Sequence, residues 1–212
     1  MEALLWKLHG WGEWLGRMVM VNVLWLLFTL MGGVIFGLFP ATAAMFAVVG
    51  RWTAGEPDLP LLRTFWETYR NGFGSSLLIG YALVIVGVVL AADLMFFTWG
   101  ESVLHHVIAA LMVGACLVYA SVLCFVFPLH ARFRLPWYRC MKSAVIIGAA
   151  SLPQGLLTLA GCAAIAGVVF ALPVLLLLIG GSLSAFWLSW RAGRIFKRME
   201  KRITQKEKND AI

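Results

Sequence analysis

Apolar residues fall in five long runs, separated by short polar or charged segments: Met18–Phe39, Gly74–Phe97, Val103–Pro128, Ser143–Ala171 and Pro173–Trp190. A helix rises 1.5 Å per residue, so about 20 residues cover the ~30 Å of bilayer hydrocarbon. Each run is expected to be helical, because backbone surrounded by lipid must satisfy its hydrogen bonds within its own segment. Pro40 is expected to break or end the first run. Pro173 suits the first turn of a new helix, where its missing N–H costs nothing. The pattern predicts five spans. Gly32-Gly33 offers another arrangement: as the turn of a helical hairpin it would divide the first run and give six. Ala41-Thr42-Ala43 resembles a signal cleavage site, but the run before it exceeds the roughly 7–15 apolar residues of a cleaved signal. A retained anchor is the expectation.

Between the first two runs the pattern changes. Leu62, Phe65, Trp66, Tyr69 and Phe73 fall at i, i+3, i+4, i+7 and i+11, while Arg63, Glu67 and Arg70 lie off that stripe. This predicts an amphipathic helix lying on the membrane surface, preceded by a turn at Gly55-Glu56-Pro57. The chain then reads as one integral membrane domain, 1–212. It has an N-terminal segment 1–17, a first span 18–39, a re-entrant or interfacial region 40–73 and a helical hairpin 74–128. A basic loop 129–142, a second hairpin 143–190 and a basic tail 191–212 follow. At an offset of 76, Pro60, Arg63, Gly72 and Ser75 fall on Pro136, Arg139, Gly148 and Ser151. The two hairpins could therefore be a structural repeat.

Composition fixes the solvent. Apolar residues make up 62% of 212, charged residues 13%, and mean hydropathy is +0.89. Soluble domains average about 45–50% apolar and 25% charged, so most of this chain faces lipid. The net charge of +7 is local. Arg132, Arg134, Arg139 and Lys142 follow the third run, and Arg191, Arg194, Lys197, Arg198, Lys201 and Arg202 follow the fifth. Cations beside apolar spans orient them, so both clusters and the C-terminus are expected on the cytoplasmic side of the membrane. Lipid, not nucleic acid, is the expected partner. The Trp99–His106 loop lacks Lys and Arg and should face outside; Arg51, Arg63 and Arg70 fit the inside. A single crossing by the first run would leave Lys7 and Arg17 outside, and five spans with that N-terminus is the preferred plan. Trp25 should pack within the first span, while most other tryptophans fall near span ends, where indole favours the headgroup zone.

Candidate chemistry is sparse. Asp93 is the one acid within a span, a binding or proton group in principle, yet it lies four residues from the span's outer end, where headgroups and water reach it. Asn22 and Gln154 sit in spans and can contact a ligand or join helices. Glu101 and His105 could share a helix face, but two ligands make no metal site. His9 and His130 have no evident partner. Ala163 with Gly167, Gly180 with Ser184, and Gly181 with Ala185 have the spacing that lets helices approach closely. The four cysteines show no redox or zinc spacing. Phe196, Met199 and Ile203 form a stripe among cations, as in a tail helix lying on anionic lipid. There is no P-loop, no G-x-S-x-G, no H-E-x-x-H and no histidine within a predicted span. The expectation is a non-enzyme without metal or cofactor.

Asn22-Val23-Leu24-Trp25-Leu26-Leu27-Phe28-Thr29-Leu30 and Gly37-Leu38-Phe39-Pro40-Ala41-Thr42-Ala43-Ala44-Met45 resemble the bacterial YesL family. So do Arg51-Trp52, Gly55-Glu56-Pro57-Asp58 and Thr64-Phe65-Trp66-Glu67-Thr68-Tyr69-Arg70-Asn71. These motifs cover roughly residues 15–75; beyond them the likeness is one of hydropathy. The resemblance implies a small integral membrane protein of unknown molecular function. Genes of that family often neighbour carbohydrate ABC importers, which implies an accessory role in sugar uptake with an ABC-type permease as partner. No catalytic residues carry over. The motif positions that do are Asn22, Pro40, Thr42, Phe65, Trp66 and Asn71, with Thr42 expected to cap the helix after Pro40. The leading expectation is an accessory or regulatory component of carbohydrate ABC import. The alternatives are a stand-alone transporter or channel lined by Asn22, Gln154 and Asp93, and a lipid-organising scaffold.

Overall fold

The computed structural model describes residues 2–98, 102–133, 136–171 and 179–210. Their fold is all-α: α1 (Glu2–Met31), α2 (Leu38–Ala54), α3 (Leu61–Thr98), α4 (Val103–Phe133), α5 (Trp137–Ala150), α6 (Leu152–Ala171) and α7 (Gly181–Asp210). Gly12–Met31, Leu61–Thr98 and Leu104–Phe133 are long and apolar enough to cross a membrane. The run Ser143–Ala171 is not one straight span: α5 and α6 are bent by 97° at Ser151 and count at most as a broken fourth. Among the described residues, three helices, or four if the bent pair is one span, have the length and apolarity of a span, against the five expected over the whole chain. The start of the fifth run, with Pro173, lies outside the described residues, as do Trp99, Glu101 and Arg134.

The first run is a hairpin, as the Gly32-Gly33 alternative has it. α1 stops at Met31, residues 32–37 turn, and α2 returns antiparallel. The Trp25 Nε1 donates to Thr42 Oγ1 at 3.0 Å, and Arg17 reaches the Pro57 carbonyl at 3.0 Å. The turn rests on close approach. A Cβ at Gly37 would overlap the Thr29 carbonyl oxygen, and one at Gly32 would overlap Gly37. Gly33 takes φ +72, a left-handed geometry that glycine adopts without steric cost. Pro40 does not end the first helix. It lies buried in the first turn of α2, where no intrahelical bond needs its N–H. Nor does Thr42 cap α2. The N-cap is Gly37, without a side-chain bond, and Thr42 Oγ1 donates to the Leu38 carbonyl at 2.7 Å.

α2 ends in a Schellman motif. Gly55 (φ +102) donates to the Trp52 carbonyl and Glu56 to that of Arg51, satisfying carbonyls that a helix end leaves open. The chain then reverses into α3, antiparallel to α2. The Phe39 ring lies where a Cβ on Gly80 would be, and Tyr81 donates to the Ile35 carbonyl at 3.3 Å. The 38 residues of α3 extend about 57 Å. The α1–α2 tip stops at the level of Tyr81, about 25 Å short of Thr98. Past that level α3 runs with α4: Tyr119 donates to the Leu83 carbonyl at 2.7 Å, and Phe97 meets His105 at 5.9 Å. Ile85, Val88, Met95, Leu104 and Leu111 are exposed there, as suits a surface against lipid.

The stripe at Leu62–Phe73 is not a separate surface helix. It forms the first turns of α3, continuous with the span. Phe65 is fully buried and Tyr69 nearly so, both packed on Phe28 with ring centroids 5.0 and 5.1 Å away. Protein, not lipid, covers half the stripe; Leu62 and Trp66 remain exposed. The repeat also fails beyond its start. Pro60 and Pro136 each precede a helix, and α5 packs on α4 through Cys140 and Gly148. But α3 continues past Ser75, whereas α5 ends at Ala150 and the chain turns.

α7 closes the bundle. Ser182 donates its backbone N–H to Asn22 Oδ1 at 3.2 Å, and Ala185 is buried in the cluster formed by α1, α2 and α3. The Gly181/Ala185 face is thus internal packing. Further along, Ala192, Ile195 and Phe196 join a second cluster with α4 and α5.

Candidate functional site

A set of polar residues from four helices lines a cavity of about 710 Å³ among α2, α3, α4 and α7. α2 contributes Ala43, Phe46, Ala47, Gly50 and Arg51. α3 contributes Thr64, Glu67, Thr68, Asn71, Ser75 and Ser76. α4 supplies Pro128, His130 and Arg132, and α7 supplies Ser189, Ala192 and Phe196. Its outer part lies beside the last turn of α2 and the first turns of α3. Thr64 to Ser76 spans about 18 Å along the α3 axis, so the cavity runs well into the bundle. Its volume is within the range of small-molecule sites.

α3 builds the polar wall by period. Thr64, Thr68, Asn71 and Ser75 recur at i, i+4, i+7 and i+11, a stripe one face away from Phe65 and Tyr69. At the inner end the buried His130 ring places Nε2 at 3.3 Å from Ser75 Oγ and 3.4 Å from Ser76 Oγ. Ser75 Oγ itself donates to the Gly72 carbonyl at 3.1 Å. Thr68 Oγ1 donates to the Thr64 carbonyl at 2.8 Å. Charge sits on the outer wall. Glu67 accepts from Arg63 Nε at 2.8 Å. Arg132 lies over the rings of Phe133 and Phe196 at 5.7 and 5.9 Å.

The residues expected to line a path are not brought together. Asn22 is buried on α1 and holds the start of α7, acting as a joint between helices. Gln154 lies half-buried in the first turn of α6, its backbone N–H donating to the Ser151 carbonyl and its own carbonyl accepting from Thr158. Asp93 lies on the α3 extension, about 25 Å along the axis from Ser76. Of the motif residues, Asn71 lines the cavity, Phe65 packs behind its wall, and Thr42 and Pro40 lie in α2. In the basic tail, Arg191 reaches Thr158 Oγ1 at 3.5 Å and Arg194 stacks on Trp190 at 3.6 Å. The side chains of Lys197, Arg198, Lys201 and Arg202 lie outside the described residues.

Sequence reasoning missed His130 and the Ser75–Ser76 pair. The expectation that no histidine lies within a span is corrected: His105 and His106 are in the first turn of α4 and His130 in its last, all within the apolar helix Leu104–Phe133. The hydroxyl stripe on α3 was a legible signal; the histidine opposite it, 54 residues on from Ser76, was not.

Fold and site together define a helical membrane protein with a polar cavity among four of its helices. Residues 18–94, which contain the α2 and α3 walls of the cavity, match the family described as protein of unknown function, DUF624. The chain is similar to three Bacillus subtilis (strain 168) proteins, each described as uncharacterized. It is 34% identical to YesV over 185 residues, 87% of this chain and 88% of YesV. It is 31% identical to YesL over 201 residues, 95% of this chain and 94% of YesL. It is 38% identical to YteU over 148 residues, 70% of this chain and 66% of YteU. The chain belongs to this YesL-like DUF624 family. No solved structure matches it.

Proposed function

We propose that the protein is a non-enzymatic membrane component that holds a small polar solute in the cavity, as an accessory or regulatory subunit of carbohydrate ABC import. The cavity carries this reading. Its walls alternate hydroxyls, an amide and an imidazole, groups that donate and accept hydrogen bonds, beside the rings of Phe46 and Phe196. That lining matches a polyhydroxylated molecule, and the family resemblance supplies the carbohydrate setting. Leu62 and Trp66, left exposed beside Phe28 and Pro60, are the face offered to an ABC permease. The basic end of the bundle would lie in the cytoplasm of the bacterial plasma membrane, with the C-terminus. A stand-alone transporter or channel has less support, because Asn22, Gln154 and Asp93 lie apart.

The test is affinity purification from native membranes in mild detergent, with mass spectrometry of co-eluting proteins. Stoichiometric recovery of an ABC permease, lost on Trp66→Asp, is the expected result. Recovery of the protein alone, repeated in lipid nanodiscs, would overturn the subunit role.

A further inference from the structure

We propose that the cavity is a site for an anionic phosphate ester, with Arg51 and Arg132 binding the phosphate and the hydroxyl wall binding the rest of the ligand. This rests on the solute-binding reading and names its chemical class. Two cations from different helices, α2 and α4, line the same cavity. Among the described residues neither makes an ion pair. The one acid in the lining, Glu67, is engaged by Arg63 from outside it. The cavity therefore carries more positive charge than its own walls neutralise. Arg132 lies beside the Phe133 and Phe196 rings, its Cζ 5.7 and 5.9 Å from their centroids, and among the described residues no carboxylate takes up its N–H donors. A guanidinium held this way matches phosphate oxygens with paired N–H bonds, a geometry that lysine cannot give. Deeper in, Ser76 and His130 are buried and Asn71 lines the same wall. These hydrogen-bonding groups suit the hydroxyls of a sugar or glycerol moiety. The shared chemistry is a phosphate ester on a hydroxylated carbon skeleton, supplied by a soluble sugar phosphate or by a phospholipid headgroup.

The full-length protein in phosphatidylcholine nanodiscs would be titrated calorimetrically with glucose 6-phosphate, glucose and inorganic phosphate. In parallel, native mass spectrometry would count phosphatidylglycerol molecules retained after extraction. The expected result is binding of glucose 6-phosphate, weakened at least about tenfold in Arg51→Gln and in Arg132→Gln and unchanged in Arg70→Gln, which lies outside the cavity. Arg51→Lys, which keeps the charge, should retain part of the affinity and controls for misfolding. Retention of phosphatidylglycerol that is lost in the same two variants would also support the site, with lipid as its source. Equal binding of glucose and glucose 6-phosphate, indifferent to both arginines, would overturn the anion assignment and leave the solute-binding reading standing. No binding of any probe and no retained lipid would overturn both.

Discussion

The Arg17 guanidinium lies 3.2 Å from Asp58 Oδ1, which sets the start of the apolar part of α1 beside the loop between α2 and α3. Both groups reach water, so the pair contributes at most about 1 kcal/mol; its value is topological. It puts residues 17 and 58 at one end of the bundle and corrects the plan in which a single crossing leaves Lys7 and Arg17 opposite Arg51 and Arg63. The α1–α2 tip ends partway along α3, with Val34, Ile35 and Phe36 exposed by 51%, 64% and 57%. An apolar tip at that depth belongs in hydrocarbon. With the four native cysteines replaced, a membrane-impermeant maleimide should label Gly12→Cys and Glu56→Cys from the same side, and Ile35→Cys from neither. Labelling of Ile35→Cys from the opposite side would mean that the hairpin crosses completely.

Glycines in α2 and at its entry should respond oppositely to a methyl group. At Gly37 the methyl meets the Phe28 and Thr29 carbonyls, backbone that cannot rotate away, so Gly37→Ala should cost about 1–3 kcal/mol or more. At Gly50 there is open space, and an alanine inside a helix gains about 0.5–1 kcal/mol over glycine. Thermal unfolding in detergent should show a lower Tm for the first and an equal or higher Tm for the second. Equal Tm values would refute the close approach at the turn.

The two aromatic residues of the α3 stripe should separate stability from association. Phe65→Ala empties a buried site against Phe28 and should cost about 3–5 kcal/mol. Trp66, 43% exposed, should change stability by about 0.5 kcal/mol or less when truncated. A Trp66→Ala variant as unstable as Phe65→Ala would show that this face is already covered within the chain.

These contrasts mark how far the sequence could be read. Lipid as solvent follows from composition, and an all-α fold from apolar runs of about 20 residues, since the strands of a closed barrel alternate apolar and polar residues over about ten. The period at Leu62–Phe73 was legible, but a stripe states only that something apolar covers it, and Phe28 does so from another helix. Pro40 looked like the breaker because proline is disfavoured inside helices, yet it is tolerated in a first turn; the break lies at Gly32–Gly37, whose close approach is a tertiary fact. The cavity was half legible. The Thr64–Ser75 hydroxyl period is in the sequence, whereas His130 and Arg132 arrive from α4.

Asn22 and Asp93 test the site from outside it. Asn22 accepts the Ser182 backbone N–H where α7 begins, and a Cβ at Gly181 would crowd the same amide oxygen. Removing the amide leaves a buried donor without that acceptor, at a cost of about 1–3 kcal/mol. Asn22→Ala should therefore lower Tm while the folded fraction binds glucose 6-phosphate as before. Asp93 occupies the α3 extension, about 25 Å along the axis from Ser76, so Asp93→Asn should leave both Tm and binding unchanged. Loss of binding at unchanged stability in either variant would place a second polar site on α1 or on the α3 extension. It would also return weight to a transport path along the bundle. Retained binding in both, with loss in Arg132→Gln, would confine recognition to the α2–α3–α4–α7 cavity.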